Sequence, residues 1–329
     1  MKSSAVLVTG GAGFIGSHAC KALRRAGILP VAYDNLSTGH AQSVRFGPLV
    51  QGDVRDRATL ADAMRTHHVD AVIHFAASAY VGESVQDPAK YYDNNVGGMM
   101  SLLAAAQDAG VARVVFSSSC ATYGQPDRLP IAEDAAQAPI NPYGRTKLIC
   151  EQILRDYGPA YDLRYVALRY FNAAGADAEG ELGEKHDPET HLIPLAMLAA
   201  AGEIPALGIF GTDYATADGT CVRDYIHVGD LARAHVLAVQ YLMDGGASTA
   251  LNLGSGNGLS VRQIIEAIER FTGKSLPVRE EPRRAGDPPV LTADPSRAAS
   301  VLGFRTELSD IDTIVRHAAP WFGLRAAGN

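Results

Sequence analysis

Short apolar runs alternate with longer stretches of mixed polarity through the first half of the chain. Six runs have strand length: Ala5–Thr9, Pro30–Asp34, Leu49–Asp53, Ala71–Ala77, Arg113–Ser119 and Arg164–Asn172. Between several of them lie segments of helical length, at Phe14–Ala26, Arg57–His68, Pro88–Ala109 and Tyr143–Tyr157. Gly27 follows the first of these, a residue type that commonly ends a helix. Strands rich in Val and Ile with helix-length connections predict parallel βαβ units, hence an α/β fold with a doubly wound parallel sheet.

After about Asn172 the alternation fades. Residues 175–188 and 211–220 read as loops rich in Gly, Asp and other polar residues, and a helix is expected at Val261–Thr272. The chain of 329 residues is long enough for two domains. The expectation is a first domain over 1–172 and a smaller mixed α/β domain over 173–329. Leu251 to Gly254 reads as a strand returning to the first sheet, so a segment near 223–256 is assigned back to it.

Composition narrows the function classes only slightly. A formal charge of −7 offers no broad basic surface for nucleic acid or an anionic membrane, but leaves room for one anionic ligand in a local pocket. Cys20, Cys120, Cys150 and Cys221 are scattered, without the close pairs of a zinc site or a redox motif. Free thiols in a reducing cytosol are expected. The start, Met1 to Ser4, carries no leader pattern, and the longest apolar run, Leu192–Ala201, is too short to span a bilayer. A cytoplasmic protein follows from this reading.

The first strand runs into Gly10, Gly13 and Gly16, spaced G-x-x-G-x-x-G at the opening of a helix. Glycine permits the tight turn and lets backbone approach a pyrophosphate, while the helix start offers N–H donors and a positive dipole end. This is the placement of a dinucleotide site on a Rossmann-type sheet. Asp34 ends the second strand, where a carboxylate accepts ribose hydroxyls and repels a 2′-phosphate, favouring NAD over NADP. Capping the turn Asn35-Leu36-Ser37 is its alternative role. Asp53 ends the third strand, where an adenine would lie, with turn capping equally open.

Asn141 to Lys147 has the form of a helix start, which sets Tyr143 and Lys147 four residues apart on one face. A phenol of pKa ~10 is a poor base near neutrality, and a neighbouring ammonium would stabilise the phenolate. The fifth strand ends in Ser117-Ser118-Ser119, at the sheet edge where doubly wound folds bind ligands. Arg223 and Arg284 suit a diphosphate by guanidinium geometry, or are solvated surface arginines.

Together the glycine loop, the serine run and Y-x-x-x-K resemble the extended short-chain dehydrogenase/reductase superfamily. More narrowly, the chain resembles the UDP-glucose 4-epimerases over essentially its full length, through Thr9–His18, Asp34–Ser37, His74–Ala77, Val81–Val85, Tyr91–Val96, Ser117–Gly124, Arg169–Gly175, Asp218–Asp230 and Arg283–Asp287. The resemblance implies a catalytic set of Ser119, Tyr143 and Lys147, with Lys147 also holding the nicotinamide ribose. It implies NAD contacts at Gly10, Gly13, Phe14, Ile15, Gly16, Asp34, Asn35, Ser37, Asp53, Val54, Phe75, Ala76, Ala77, Asn94, Tyr170 and Phe171. For a UDP-hexose it implies Asn172, Leu192, Phe210, Arg223, Tyr225, Arg284 and Asp287, with Leu291 setting room at the sugar C2 substituent. Two departures stand out: Ala79 where some members have lysine, and His191 where the family often has asparagine.

The resemblance also implies a homodimer, paired through helices near Pro88–Ala109 and Tyr143–Tyr157. The remaining histidines suggest no ligand cluster, and no metal is expected. A 4,6-dehydratase would carry carboxylates just after Ser119, where this chain has Cys120-Ala121-Thr122. Open alternatives are 4-epimerases of UDP-N-acetylglucosamine, UDP-xylose/arabinose or UDP-glucuronate. A catalytically silent NAD-binding regulator is the alternative of a different class.

Overall fold

The computed structural model describes residues 4–284 and 286–328; Ala285, inside the Arg283–Asp287 segment, lies outside them. The strands β1 (Ala5–Thr9), β2 (Leu29–Asp34), β3 (Leu49–Gln51), β4 (Val69–His74), β5 (Arg113–Ser117) and β6 (Arg164–Tyr170) follow the apolar runs. β7 (Asn172–Ala174), β8 (Leu207–Phe210), β9 (Val222–His227) and β10 (Thr249–Leu253) continue the chain. β1 to β6 and β10 form one parallel sheet in the order β10-β6-β5-β4-β1-β2-β3. The α/β, doubly wound reading holds.

Alternation along β1 sends Val6 and Val8 to one face and Leu7 to the other. On the first face they meet Leu23 of the Phe14–Arg25 helix and Leu231 and Val239 of the Val228–Met243 helix. On the second, Leu7 joins Leu60, Leu102 and Leu154 from the helices Arg57–Thr66, Gly98–Ala109 and Pro142–Tyr161. Both faces are therefore covered, which is what an all-parallel sheet requires.

The chain leaves this sheet at Phe171, between β6 and β7, rather than continuing as one strand to Asn172. β7 pairs with β9, which also pairs with β11 (Gly258–Ser260) and β13 (Val290–Leu291); β8 pairs with β12 (Val278–Glu281). The helices Leu192–Ala201, Val261–Thr272 and Ile311–Ala318 pack Ile193, Met197, Ile264, Ile268 and Ile314 into a further core. Val261–Thr272 opens with a reciprocal cap between Ser260 and Gln263.

Four local readings are corrected, among them the fourth strand, which ends at His74 rather than Ala77. The expected continuous helix over Pro88–Ala109 is broken by a π-helical turn at Tyr92–Gly97. The third strand stops at Gln51, and the fifth at Ser117. At that last end Ser119 caps a 3-10 turn, its Oγ accepting the Ala121 N–H at 3.1 Å. Side chain-to-backbone bonding of this kind competes with strand pairing, which apolar periodicity does not register. Among the described residues no helix is long and apolar enough to cross a membrane.

Candidate active site

The order of the main sheet reverses between β1 and β4, and a crevice at the carboxyl ends of the strands is the expected ligand position. A cavity of about 630 Å³ opens there, within the ~300–1,000 Å³ common for small-ligand sites. Gly10, Gly13, Phe14, Ile15 and Gly16 form one wall. Gly10 has φ +71°, and a Cβ on it would meet Ala76 N at 2.8 Å. A Cβ on Gly16 would fall 2.1 Å from the Gly10 carbonyl oxygen, so the turn closes this tightly only without side chains. Gly16→Ala is expected to open the turn, lower stability by about 1–3 kcal/mol and weaken NAD retention. Nucleotide content of the purified variant, read after denaturation, checks this; full occupancy would contradict it.

Asp34 caps the turn and also lines the cavity. Its Oδ2 accepts Ala12 N–H at 3.0 Å and its Oδ1 accepts Leu36 N–H at 2.8 Å. An ionised carboxylate has about four acceptor sites, so capping the turn leaves capacity toward the cavity it lines. Asp53 differs. Gly52 and Val54 line the cavity but Asp53 does not; its carboxylate takes the Arg55 side chain at 2.7 and 2.8 Å. Those bonds hold it well below the usual carboxylate range. All the other NAD positions named from sequence line the cavity, including Asn35, Ser37, Phe75, Ala76, Ala77, Asn94, Tyr170 and Phe171.

Ser119, Tyr143 and Lys147 share the same cavity. Asn141 accepts the Gly144 N–H at 2.8 Å and Pro142 fills the first turn, fixing the start of the helix that carries Tyr143 and Lys147. Lys147 is buried, with Nζ donating to the Ser117 carbonyl at 2.7 Å and 5.7 Å from the Tyr143 ring centre. Burial pulls its pKa down to about 8, against the opposing pull of Cys150 and Glu151. The ammonium thus remains mainly protonated at neutral pH.

The phenol does not behave as the Y-x-x-x-K spacing alone suggests. Tyr143 is pushed above its ordinary pKa, first by burial and then by neighbouring Tyr170, with Ser119 pulling it back. The Lys147 ammonium points to a backbone carbonyl and does not bond the phenol oxygen. Desolvation is the largest of these effects.

On the substrate side the predicted set divides. Asn172, Leu192 and Tyr225 line the cavity; Phe210, Arg223, Arg284, Asp287 and Leu291 lie outside its lining. Arg223 forms an ion pair with Asp287, and the Arg284 guanidinium sits 4.0 Å over the Phe210 ring. Leu291 packs with Tyr123, Ile131, Phe171 and Ala293. Asn172 Nδ2 donates to the Asp224 carbonyl at 2.8 Å, so this contact residue is already oriented.

Several functional neighbours escaped the sequence reading. The π turn presents Asn95, which donates to Ser78 O at 3.0 Å and Thr146 Oγ1 at 3.1 Å and accepts Ser78 N–H at 2.8 Å. It thereby ties the Ser78 loop to the helix that carries Tyr143 and Lys147. Arg169 and Glu151 form a buried two-pronged pair at 2.9 and 2.6 Å, and Ser118 donates to the same carboxylate. The signal was an arginine inside an otherwise buried apolar strand. The expectation that the histidines form no cluster is overturned: His186 and His191 converge with Glu184 and Glu189 beside the cavity. Despite burial, the carboxylates raise His186 to about 9 and His191 to about 10.

The model of the NAD dependent epimerase/dehydratase family matches residues 6–254. The chain belongs to this family. It is 54% identical, over 328 residues and the whole of both chains, to a Rhizobium meliloti (strain 1021) protein named UDP-glucose 4-epimerase. Its structure resembles that of a Brucella ovis UDP-glucose 4-epimerase solved with NAD, at TM-score 0.97 and 64% identity, covering 98% of this chain and 100% of that one. It also resembles a Stenotrophomonas maltophila UDP-glucose 4-epimerase solved with NAD and formylated UDP-arabinopyranose: TM-score 0.94, 46% identity, 97% and 98% covered. As a member of the NAD dependent epimerase/dehydratase family, the chain depends on NAD. The glycine turn that a Cβ would obstruct, and the free acceptor capacity of Asp34, fit that cofactor.

Proposed function

We propose that this chain is a UDP-sugar 4-epimerase that interconverts UDP-galactose and UDP-glucose through a transient 4-keto sugar, with NAD held tightly. The observation that carries this reading is the meeting of Ser119, Tyr143 and Lys147 with the glycine turn in one cavity. When bound, NAD supplies the reversible oxidation at C4. The glycine turn holds its diphosphate through backbone N–H groups, Asp34 takes ribose hydroxyls, and Lys147 holds the nicotinamide ribose. We assign this work to 1–172 together with the returning segment near 223–256, and the UDP-sugar to 173–329.

Tyr143 takes the C4 hydroxyl proton, directly or through Ser119, and later returns it. Burial, which raises the phenol, also strengthens the effect of any compensating positive charge brought beside it. Arg223 and Arg284 hold the UDP diphosphate, Arg223 turning from Asp287 toward it. Firm anchoring at the diphosphate and sparse contacts at the sugar let the keto sugar present its other face. The centre then inverts with no net redox change.

Incubating the protein with UDP-galactose and resolving the products tests the reading. UDP-glucose is expected; a 4-keto-6-deoxy sugar would make the chain a dehydratase, and no turnover of any UDP-sugar a silent NAD-binding protein. UDP-N-acetylglucosamine, UDP-xylose, UDP-arabinose and UDP-glucuronate run in parallel separate the neighbouring 4-epimerases. Leu291→Ala is expected to raise turnover of UDP-N-acetylglucosamine above wild type; equal inactivity of both would contradict a role at the C2 substituent.

A homodimer fits the exposed apolar side chains Val85, Tyr92, Met100 and Tyr161 on the helical segments Val81–Gln86, Tyr92–Gly97, Gly98–Ala109 and Pro142–Tyr161. Light scattering on the eluting protein is expected to give twice the 34.8 kDa chain mass, and the chain mass itself would contradict the dimer. The four free cysteines suit a cytoplasmic setting, and interconversion of UDP-galactose and UDP-glucose would give the chain a place in galactose metabolism.

A further inference from the structure

The segment Glu184-Lys185-His186-Asp187-Pro188-Glu189-Thr190-His191 carries two histidines and two glutamates in the order E-x-H-x-x-E-x-H. It follows no helical register, yet its path brings one ligand atom from each of the four within 4.8 Å of one another. His191 Nδ1 lies 2.8 Å from Glu184 Oε1 and 3.2 Å from Glu189 Oε1. His186 Nδ1 lies 3.3 Å from the same Glu184 oxygen and 3.5 Å from Glu189 Oε2. A tetrahedral zinc site with bonds of ~2.0–2.1 Å has ligand–ligand edges of about 3.3–3.4 Å. The four nitrogen–oxygen separations bracket that edge.

Hydrogen bonding alone does not account for the arrangement. His186 Nδ1 is shielded from solvent and, despite two nearby carboxylates, meets no partner at hydrogen-bonding geometry. The Glu184 and Glu189 side chains are more than nine-tenths buried, whereas His191 is half exposed and leaves a way in. A second cluster shows the contrast. Asp177, Glu179 and Glu181 also converge, but the Lys21 ammonium already sits 2.6–2.9 Å from all three. No lysine or arginine is paired with Glu184 or Glu189 among the ion pairs of the described residues.

We propose that Glu184, His186, Glu189 and His191 form a binding site for a divalent metal of the zinc class. Two imidazoles and two carboxylates suit zinc better than magnesium or calcium, which prefer all-oxygen shells. On binding, the ion takes over from the two histidines the compensation of both buried carboxylates, and the imidazole protons leave to solvent. His191 stands at the N-cap position of the Leu192–Ala201 helix, and His186 packs edge-on against Phe14 of the glycine turn and against Tyr80. The metal therefore clips one wall of the cavity to the cofactor loop. Its role is to hold that wall; the catalytic trio lies elsewhere on the cavity.

The test uses the full chain with its nucleotide, stripped with chelator and titrated with Co²⁺. One equivalent is expected to bind with the intense visible absorption of a tetrahedral site, and Zn²⁺ is expected to displace it and raise the melting temperature. His186→Ala and Glu189→Gln are each expected to weaken Co²⁺ binding by at least ~100-fold while retaining the wild-type circular dichroism. Anomalous scattering from Zn²⁺-soaked crystals is expected to peak between these four side chains. No saturable Co²⁺ binding by wild type, or a peak elsewhere, would overturn the site. So would Co²⁺ binding of wild-type strength in both variants. If a variant fails to fold, the wild-type spectrum and the anomalous peak decide.

Discussion

Replacing Tyr143 by phenylalanine is expected to lower turnover of UDP-galactose by about 10²–10⁴-fold while leaving bound NAD in place. The ring remains to pack, but the oxygen proposed to exchange the C4 hydroxyl proton is gone. Lys147 keeps its bond to the Ser117 carbonyl, because that bond does not involve the phenol. The cavity's nucleotide end should therefore be unchanged. Nucleotide content and kcat, measured on the same preparation, separate the two effects. Near-normal turnover would remove Tyr143 from the role of base, and loss of NAD together with turnover would make it a structural residue of the cofactor site.

Replacing Arg169 by methionine is expected to destabilise the protein by about 3–5 kcal/mol, the usual consequence of leaving one member of a buried ion pair without its partner. Glu151 would retain bonds from Ser118 and from Gln137, the latter at 3.1 Å, but would lose both guanidinium bonds. Arg169 also donates to the Tyr123 hydroxyl at 2.8 Å, which donates in turn to Asn252 on β10. The network joins β6, β10, the serine strand end and the catalytic helix. Ser119 and Tyr143 should lose their mutual placement as stability falls. Urea denaturation gives the first quantity. The paired change Arg169→Met with Glu151→Leu is expected to recover much of the loss, since no unpaired charge remains. A single variant as stable as wild type would show that the pair is dispensable.

The contrast between these residues explains what the sequence disclosed. β1 and the glycine turn were legible because period, residue type and position agree over a dozen consecutive residues. Tyr143 and Lys147 were legible because one helical turn joins them. The Arg169–Glu151 pair depends on how a strand meets a helix, and only the oddity of an arginine in an apolar run hinted at it. The π turn at Tyr92–Gly97 was hidden because its apolar pattern fits an unbroken helix equally well. Asp53 looked like a partner of the nucleotide from its place at a strand end, but Arg55, two residues on, takes the carboxylate. The His186/His191 cluster was invisible because residues on an irregular loop meet by the loop's path, not by a regular spacing.

Desolvation also revised the chemistry read from spacing. A tyrosine and a lysine four positions apart suggest a phenol lowered by an ammonium. In the folded chain the lysine serves a carbonyl, and burial raises the phenol. A base at Tyr143, as proposed above, therefore needs a compensating positive charge beside the phenol.

The most direct test of the central claim is the fate of the hydrogen on C4. UDP-galactose deuterated at C4 is converted in ordinary water, and the product is analysed by mass and NMR. Reversible oxidation on tightly held NAD predicts UDP-glucose that keeps the full deuterium at C4, with no net oxidation of the sugar. Product that has lost the label to solvent, or no UDP-glucose at all, would contradict the account.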